Sequence, residues 1–118
     1  MGTFNHTITL ISASGATRET VEALVDTGAM FTVIPTGILE RLGVTSFGTI
    51  PVRFANGQIE RWRMGQVQAE LDGVRRPVLC LFGSADAPSL IGAHTLEAFL
   101  LTVDPVEQKL VPKEALLM

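Results

Sequence analysis

Short runs in which apolar and polar residues alternate, or in which apolar residues cluster, occupy most of the chain. Alternation with a period of two is typical of strands with one buried face, and short unbroken apolar runs fit strands that are buried on both faces. These patterns predict strands at 5–12, 18–25, 30–35, 74–83 and 108–112, and a brief apolar strand in "SLIG". We therefore expect a chain rich in β structure.

A hairpin is predicted in the middle of the chain. Asn56-Gly57 stands between two alternating runs, and Asn-Gly is the strongest short-range hairpin signal because both residues tolerate positive φ. The arms are expected at about 50–55 and 58–64, long enough to project from the body of the domain. Trp62, in the second arm, is expected to pack on the body or, alternatively, to brace the hairpin.

Two short segments have helical patterns. In 36–43, Thr36 can cap the first turn, Leu39 and Leu42 are three residues apart, and Gly43 provides a stop. A second helix is expected at about 94–100. With the strands, these elements predict a small all-β barrel with one or two short helices, formed by residues 1–118 as a single domain.

Charge and hydropathy narrow the classes of function. The net charge of -3 and the lack of a basic stripe argue against a nucleic-acid partner. No apolar run reaches membrane-spanning length, and the N-terminus lacks the basic start and long apolar stretch of a signal peptide. We therefore expect no membrane association and a cytoplasmic location.

The cysteine and histidine residues give no sign of a metal site. Cys80 is the only cysteine, so no internal disulfide can form, and its apolar neighbours predict a buried thiol. His6 and His94 lack metal-ligand spacing to each other or to the cysteine. Neither a metal nor a cofactor is expected.

Asp26 is chemically unusual because it stands inside the apolar run "ALVDTGAMFTVIP" at 23–35. A charge buried among apolar groups costs several kcal/mol unless it is paired or hydrogen-bonded. Taken alone, Asp26 and Thr27 could simply serve a turn by capping backbone amides. The neighbouring residues favour a chemical role.

The segment Asp26–Ala29, in its apolar frame, resembles the active-site loop of the retropepsin-like (retroviral-type) single-domain aspartic proteases. Their second hallmark, two apolar residues followed by Gly and a short helix, is matched by Leu90–Gly92. The hairpin between the two matches the family's flap, here at about 50–64. The resemblance covers roughly residues 5–112 and implies a small closed barrel of the acid-protease type.

The resemblance also implies roles for individual residues. Asp26 would be the catalytic carboxylate, Thr27 would bond across to a partner loop, and the Gly28 amide would point at the aspartate. The residues expected to contact a peptide follow the aspartate, form the flap tip or belong to the second hallmark: Ala29, Met30, Phe31, Ala55, Asn56, Gly57, Gln58, Leu90, Ile91 and Gly92. Retroviral enzymes often carry acidic residues where Met30 and Phe31 stand, so a more apolar cleft is expected here.

The chain contains one Asp-Thr-Gly motif, although the chemistry needs two carboxylates. Two carboxylates about 3 Å apart share one proton, so that one can accept a proton from water and the other can donate to the carbonyl oxygen. Asp72, Asp86 and Asp104 are not followed by Thr-Gly or Ser-Gly. The second aspartate is therefore expected from a second copy in a two-fold homodimer. By resemblance, residues 2–8 and 108–113 would interleave at the interface.

These observations lead to one expected function and two alternatives. The expected function is an aspartic endopeptidase that cleaves a peptide or protein substrate as a homodimer. The first alternative is a non-catalytic peptide-binding or dimerisation module on the same fold. The second is a small β-barrel of unrelated function in which the motif is accidental.

Overall fold

The computed structural model describes residues 3–117, which form a β-rich chain with two short helices. The strands are β1 (Phe4–Ile11), β2 (Arg18–Val25), β3 (Thr32–Pro35), β4 (Ser46–Arg53), β5 (Ile59–Leu71), β6 (Val74–Gly83), β7 (Leu90–Ile91), β8 (Leu101–Asp104) and β9 (Lys109–Pro112). The helices are α1 (Thr36–Arg41) and α2 (Ala93–Ala98). The expected all-β class is confirmed.

Six of the strands pair in a closed ring. The order around the ring is β1, β2, β7, β3, β6 and β5, and Thr9–Ile11 of β1 returns to pair with Gln68–Glu70 of β5. The β2–β7 and β3–β6 pairs are parallel, and the other pairs of the ring are antiparallel. Closure gives each strand a neighbour on both sides and so removes most exposed sheet edges.

The ring encloses an apolar core. Inward-facing positions of β1 and β2, among them Ile8, Leu10 and Val25, are buried together with Leu39 of α1 and Leu96 of α2. Both helices are too short to be stable alone, so this packing is what stabilises them. On the surface, Arg41 of α1 makes a two-pronged ion pair with Glu19 of β2 at 2.8 Å.

Helix α1 differs from expectation at its start. The Thr36 hydroxyl does not cap the helix; it donates instead to the Gly83 carbonyl oxygen at 2.8 Å, which ties α1 to the end of β6. The predicted glycine stop is present: Gly43 has a φ of 73°, and the Gly43 and Val44 amides donate to carbonyls of the last turn. These two bonds satisfy carbonyls that the helix itself leaves unpaired.

The predicted central hairpin is present, and its arms are longer than the pattern indicated. β4 begins at Ser46 and β5 runs to Leu71, with a bulge between Ser46 and Gly48. At the tip, the Phe54 amide donates to the Gln58 carbonyl at 2.9 Å. Gly57 has a φ of 88°, a conformation that glycine adopts without strain.

The C-terminal part of the described chain contains a strand that the pattern did not predict. Helix α2 ends at Ala98, earlier than expected, and Leu100 at a φ of 54° turns the chain into β8. β8 then pairs antiparallel with β9 as a separate two-stranded sheet. Segment 108–113 is therefore paired along one edge within its own chain. Gly2, the first residue of the other expected interface segment, lies outside the described residues.

Residues 3–117 contain no helix that is both long and apolar enough to cross a membrane. The cytoplasmic location stays a prediction.

Candidate active site

Asp26 lies where strand β2 leaves the core. Leu24 and Val25 pair in parallel with Leu90 and Ile91 of β7, and the Asp26 amide donates to the Ile91 carbonyl at 3.0 Å. The two sequence hallmarks, far apart along the chain, are thus adjacent in the sheet. Because Asp26 itself makes the last hydrogen bond between β2 and β7, its main chain is fixed in position. The residue is only partly buried.

The loop after Asp26 folds back on the carboxylate. The Gly28 amide donates to Asp26 Oδ1 at 2.9 Å, and the Ala29 amide donates to the Asp26 carbonyl at 3.1 Å. A Cβ on Gly28 would lie 3.3 Å from Asp26 Oδ1, so glycine leaves the carboxylate room at this position. Thr27 and Gly28 are exposed, which leaves the loop accessible from outside.

The turn between β7 and α2 crosses this loop at very short range. The Ala93 and His94 amides donate to the Ala29 and Met30 carbonyls at 2.8 and 2.9 Å. Gly92 lies directly against Phe31, the next residue of the loop after Met30. A Cβ on Gly92 would be 2.5 Å from the Phe31 carbonyl carbon. A side chain cannot fit in that space. The glycine of the second hallmark is therefore required by the crossing of two main chains.

A buried pair of threonines lies beneath the crossing, and no sequence pattern predicted that the two are partners. The Thr32 and Thr95 hydroxyl oxygens are 2.6 Å apart, and the Gly92 amide donates to Thr32 Oγ1 at 3.2 Å. Both threonines are fully buried. A polar residue within the apolar run of β3 was the one available signal, because a buried hydroxyl needs a partner.

A pocket of about 510 Å³ opens beside the Asp-Thr-Gly loop. Its lining comes from the start of the described chain, the end of β2, the Asp-Thr-Gly loop, and β8 with the turn after it. These residues are Thr3, Phe4, Val25, Asp26, Thr27, Gly28, Thr102, Val103 and Pro105. The exposed face of the Asp-Thr-Gly loop thus continues into a concave surface built by the start of the described chain and by β8 with the turn that follows it.

A second apolar group, which we call the cleft cluster, connects the loop to the hairpin. Its members are Val33, Met64 and Leu81, with Phe31, Ile50, Val52, Trp62, Leu79 and Leu90 packed against them. Phe31 and Leu90, two of the expected peptide-contacting residues, are thereby brought together with the hairpin arms. The Trp62 ring also lies 5.9 Å from that of Phe54, so it both packs on the barrel and braces the hairpin.

The remaining expected contact residues lie at more exposed positions. Met30 is 69% exposed although it is large and apolar, and the His94 ring lies 5.4 Å from the Phe31 ring. The hairpin-tip residues Ala55–Gln58 are exposed and are not among those that line the pocket at Asp26. Ile91 is buried and acts through its carbonyl group.

The other aspartates with described contacts serve local structure. Asp72 Oδ1 is 3.2 Å from His6 Nε2, and Asp104 Oδ1 accepts from two amides of the β8–β9 turn. Within residues 3–117, no group of three or more histidine, cysteine or acidic residues is placed to hold a metal ion. Burial raises the pKa of the Cys80 thiol to about 12, partly offset by a backbone hydrogen bond from Gly65, so this thiol is no candidate nucleophile.

Comparison with known proteins agrees with this geometry. The family model described as aspartyl protease matches residues 9–97, so the chain belongs to the aspartyl protease family. A search of curated proteins found no match. Among solved structures, the protease of simian foamy virus (mac), determined in solution, is similar: it has a TM-score of 0.57 and 15% sequence identity, and the alignment covers 80% of this chain and 92% of that chain. The chain therefore has the retropepsin-like fold.

Proposed function

We propose that the protein is an aspartic endopeptidase that acts as a homodimer, in which Asp26 and its symmetry mate share one proton and activate water. The observation that carries the proposal is the Asp26 carboxyl group at the crossing of the two loops, held by the Gly28 amide and accessible from outside. One carboxyl of the pair would take a proton from the attacking water while the other donates to the carbonyl oxygen of the scissile bond.

The dimer supplies what one chain lacks. Of the described aspartates outside the motif, Asp72 and Asp104 are bound to local partners. Asp86 lies exposed in the loop after β6 and is not followed by Thr-Gly. The concave surface beside Asp26 supports an approach by a second copy from this side. Phe4–Ile8 and β9 each pair along one edge only among the described residues, which supports interleaving of the terminal segments across the axis.

In this proposal the β4–β5 hairpin acts as the flap and the cleft cluster forms the apolar floor and wall for an extended peptide. Alternate side chains of an extended peptide face opposite sides. Those that face the cleft cluster would be apolar, because every member of that cluster is apolar in the part that packs. Residues 1–118 would thus form one domain with a flap at its centre.

The first test measures cleavage of a mixed peptide library between pH 4 and 7 at high protein concentration. Wild-type protein is compared with Asp26→Asn and with Asp86→Asn, an exposed aspartate outside the motif. Asp26→Asn is expected to lower the rate by about 10² to 10⁴, the usual contribution of a general acid–base group, and Asp86→Asn is expected to leave it unchanged. Cleavage that survives Asp26→Asn in a pure sample would refute the catalytic assignment.

The second test asks whether the two aspartates come from two chains. Asp26→Asn protein is added in excess to wild-type protein at a concentration where the wild type is fully dimeric. Activity should fall as mixed dimers form, and the activity that remains should be proportional to the fraction of wild-type chains still paired with each other. Unchanged activity would mean that Asp26 acts within one chain. Peptide binding without cleavage by folded, dimeric wild type would favour the non-catalytic module.

A further inference from the structure

One acidic side chain lies on the cleft-facing side of the hairpin. β4 and β5 pair Ile50 with Trp62 and Val52 with Glu60, and directly opposed residues two apart along a strand share one face of the sheet. Ile50, Val52 and Trp62 all pack into the cleft cluster. Glu60 is therefore on the same face as these three apolar side chains.

The hydrogen bonds of the hairpin confirm this orientation. Trp62 Nε1 donates to Glu60 Oε1 at 2.9 Å, so the carboxylate lies on the side of the indole. Arg61, the residue between them, donates to Thr49 on the opposite face at 3.1 Å. The bond to Trp62 restricts the glutamate side chain and leaves Oε2 to accept from a further donor.

The hairpin arginines do not neutralise this carboxylate. Arg53 and Arg61 belong to the opposite face by the strand register, and the Arg63 guanidinium stacks over the Phe82 ring at 4.5 Å. Within residues 3–117, no cation lies at ion-pair distance from Glu60. An unpaired carboxylate on this face offers a charge-assisted hydrogen bond and an ion pair to a cationic side chain.

We propose that Glu60 is a specificity-determining residue that selects a lysine or arginine at one position of the peptide, next to positions that prefer apolar side chains. This inference rests on the proposed function, because it places the peptide beneath the hairpin. The side chains of the cleft cluster are apolar, so Glu60 supplies the negative charge on this wall.

Trp62 allows a test that does not depend on cleavage. It is the only tryptophan of the chain, and it touches Glu60 directly, so its fluorescence reports a peptide at this place. Asp26→Asn protein, which should leave peptides intact, is titrated with a set of apolar peptides. The peptides differ at one position, which carries lysine, arginine, glutamine or methionine. The series is repeated with that position moved along the peptide.

At one position, lysine or arginine is expected to tighten binding about twofold to fivefold over glutamine, the effect of one partly solvated ion pair. Glu60→Gln, added to Asp26→Asn, should remove this preference while binding of the methionine peptide stays the same. Glu40→Gln, an exposed glutamate on α1, is the matched control and should keep the preference. High salt should weaken the preference in the control because the ion pair is screened.

The outcomes separate this inference from the proposed function. Equal preference with and without Glu60, or no effect of any peptide on Trp62 fluorescence, would overturn the role of Glu60. Cleavage by wild-type protein without a basic preference would leave the protease proposal intact and remove only the inference. A Glu60-dependent preference in a protein that never cleaves would support the role of Glu60 in peptide binding and refute the protease proposal.

Discussion

At the scale of single residues, the Thr32 hydroxyl supports the crossing of the loop after Asp26 with the turn between β7 and α2. Its oxygen accepts from the Gly92 amide and is 2.6 Å from the Thr95 oxygen, and all three residues are buried. Thr32→Val keeps the branched shape but leaves both partners unsatisfied in an apolar environment. We expect it to lower the free energy of unfolding by about 1–3 kcal/mol, measured by urea denaturation.

The neighbouring threonines provide graded controls for this substitution. Thr95→Val removes one partner but leaves Thr32 bonded to Gly92, so it should cost less than Thr32→Val. Thr9→Val removes a hydroxyl from an exposed strand pair with Thr20 and should change stability by less than about 0.5 kcal/mol. If Thr32→Val costs no more than Thr9→Val, the buried pair does not hold the loops together.

The two kinds of residue in the site differ in how far a sequence can predict them. Asp26, Thr27 and Gly28 are adjacent, and the bond from the Gly28 amide to Asp26 is local, so a single stretch of sequence was enough to propose them. Thr32 and Thr95 are 63 positions apart, and nothing in either neighbourhood indicates the other. The role proposed for Glu60 could not be predicted from the sequence either, because it depends on which face of the hairpin carries Ile50, Val52 and Trp62.

At the scale of elements, the link between β7 and α2 depends on the absence of a side chain at Gly92. A Cβ would lie 2.5 Å from both the carbonyl carbon and the carbonyl oxygen of Phe31, which are main-chain atoms that cannot turn aside. We expect Gly92→Ala to destabilise the protein by about 1–3 kcal/mol or more, as overpacking does, and to lower cleavage by displacing the loop. Thermal unfolding and the peptide assay measure the two effects.

Gly37 gives the opposite expectation for the same substitution. It lies within α1, and an added Cβ would meet only the flexible end of Arg41 at 3.7 Å. Gly37→Ala should therefore raise the free energy of unfolding by up to about 1 kcal/mol, since alanine loses less backbone entropy in a helix. Equal effects of the two substitutions would contradict the close approach at Gly92.

Local signals also decided which elements could be predicted. The central hairpin was predicted from Asn56-Gly57, although only Gly57 of the two adopts a positive φ in the turn, and the end of α1 was predicted from Gly43. β8 was missed because its four residues follow a helix directly and become a strand only through pairing with β9. The early start of β4 was missed for a similar reason: its exposed residues carry no alternation, and the bulge at Gly48 shifts their register against β5.

At the scale of the whole molecule, Cys80 is a natural probe of global opening. It is 0% exposed at the centre of the core and lies on β6, paired on one side with Thr32 of β3 and on the other with Gly65 of β5. Its pKa, raised by burial to about 12, keeps the thiol protonated and unreactive. Alkylation at pH 8 should be at least about a thousandfold slower in the native protein than in urea-unfolded protein, as expected for a stable core.

The pH dependence of this probe has a defined sign. The folded pKa of about 12 lies above the ordinary value of 9.0, so the buried thiol favours folding below pH 9 and this contribution is lost as the pH rises towards 12. Ser84→Cys in a Cys80→Ser background places a thiol in the exposed loop after β6 and should react at the rate of a free thiol. Rapid alkylation of native Cys80 at pH 8 would indicate that the ring opens locally between β3 and β6.

The crossing of the two loops has a consequence for how such an enzyme can diversify. Apart from the bond that the Gly92 amide donates to the Thr32 hydroxyl, the bonds that fix it join backbone groups: Asp26 to Ile91, and the two amides that follow Gly92 to Ala29 and Met30. The Met30 and His94 side chains, both exposed, contribute nothing to those bonds. Substitutions at these exposed positions can therefore accumulate while the Asp26 carboxyl group keeps its place, so that the surface around it changes on an unchanged main-chain frame.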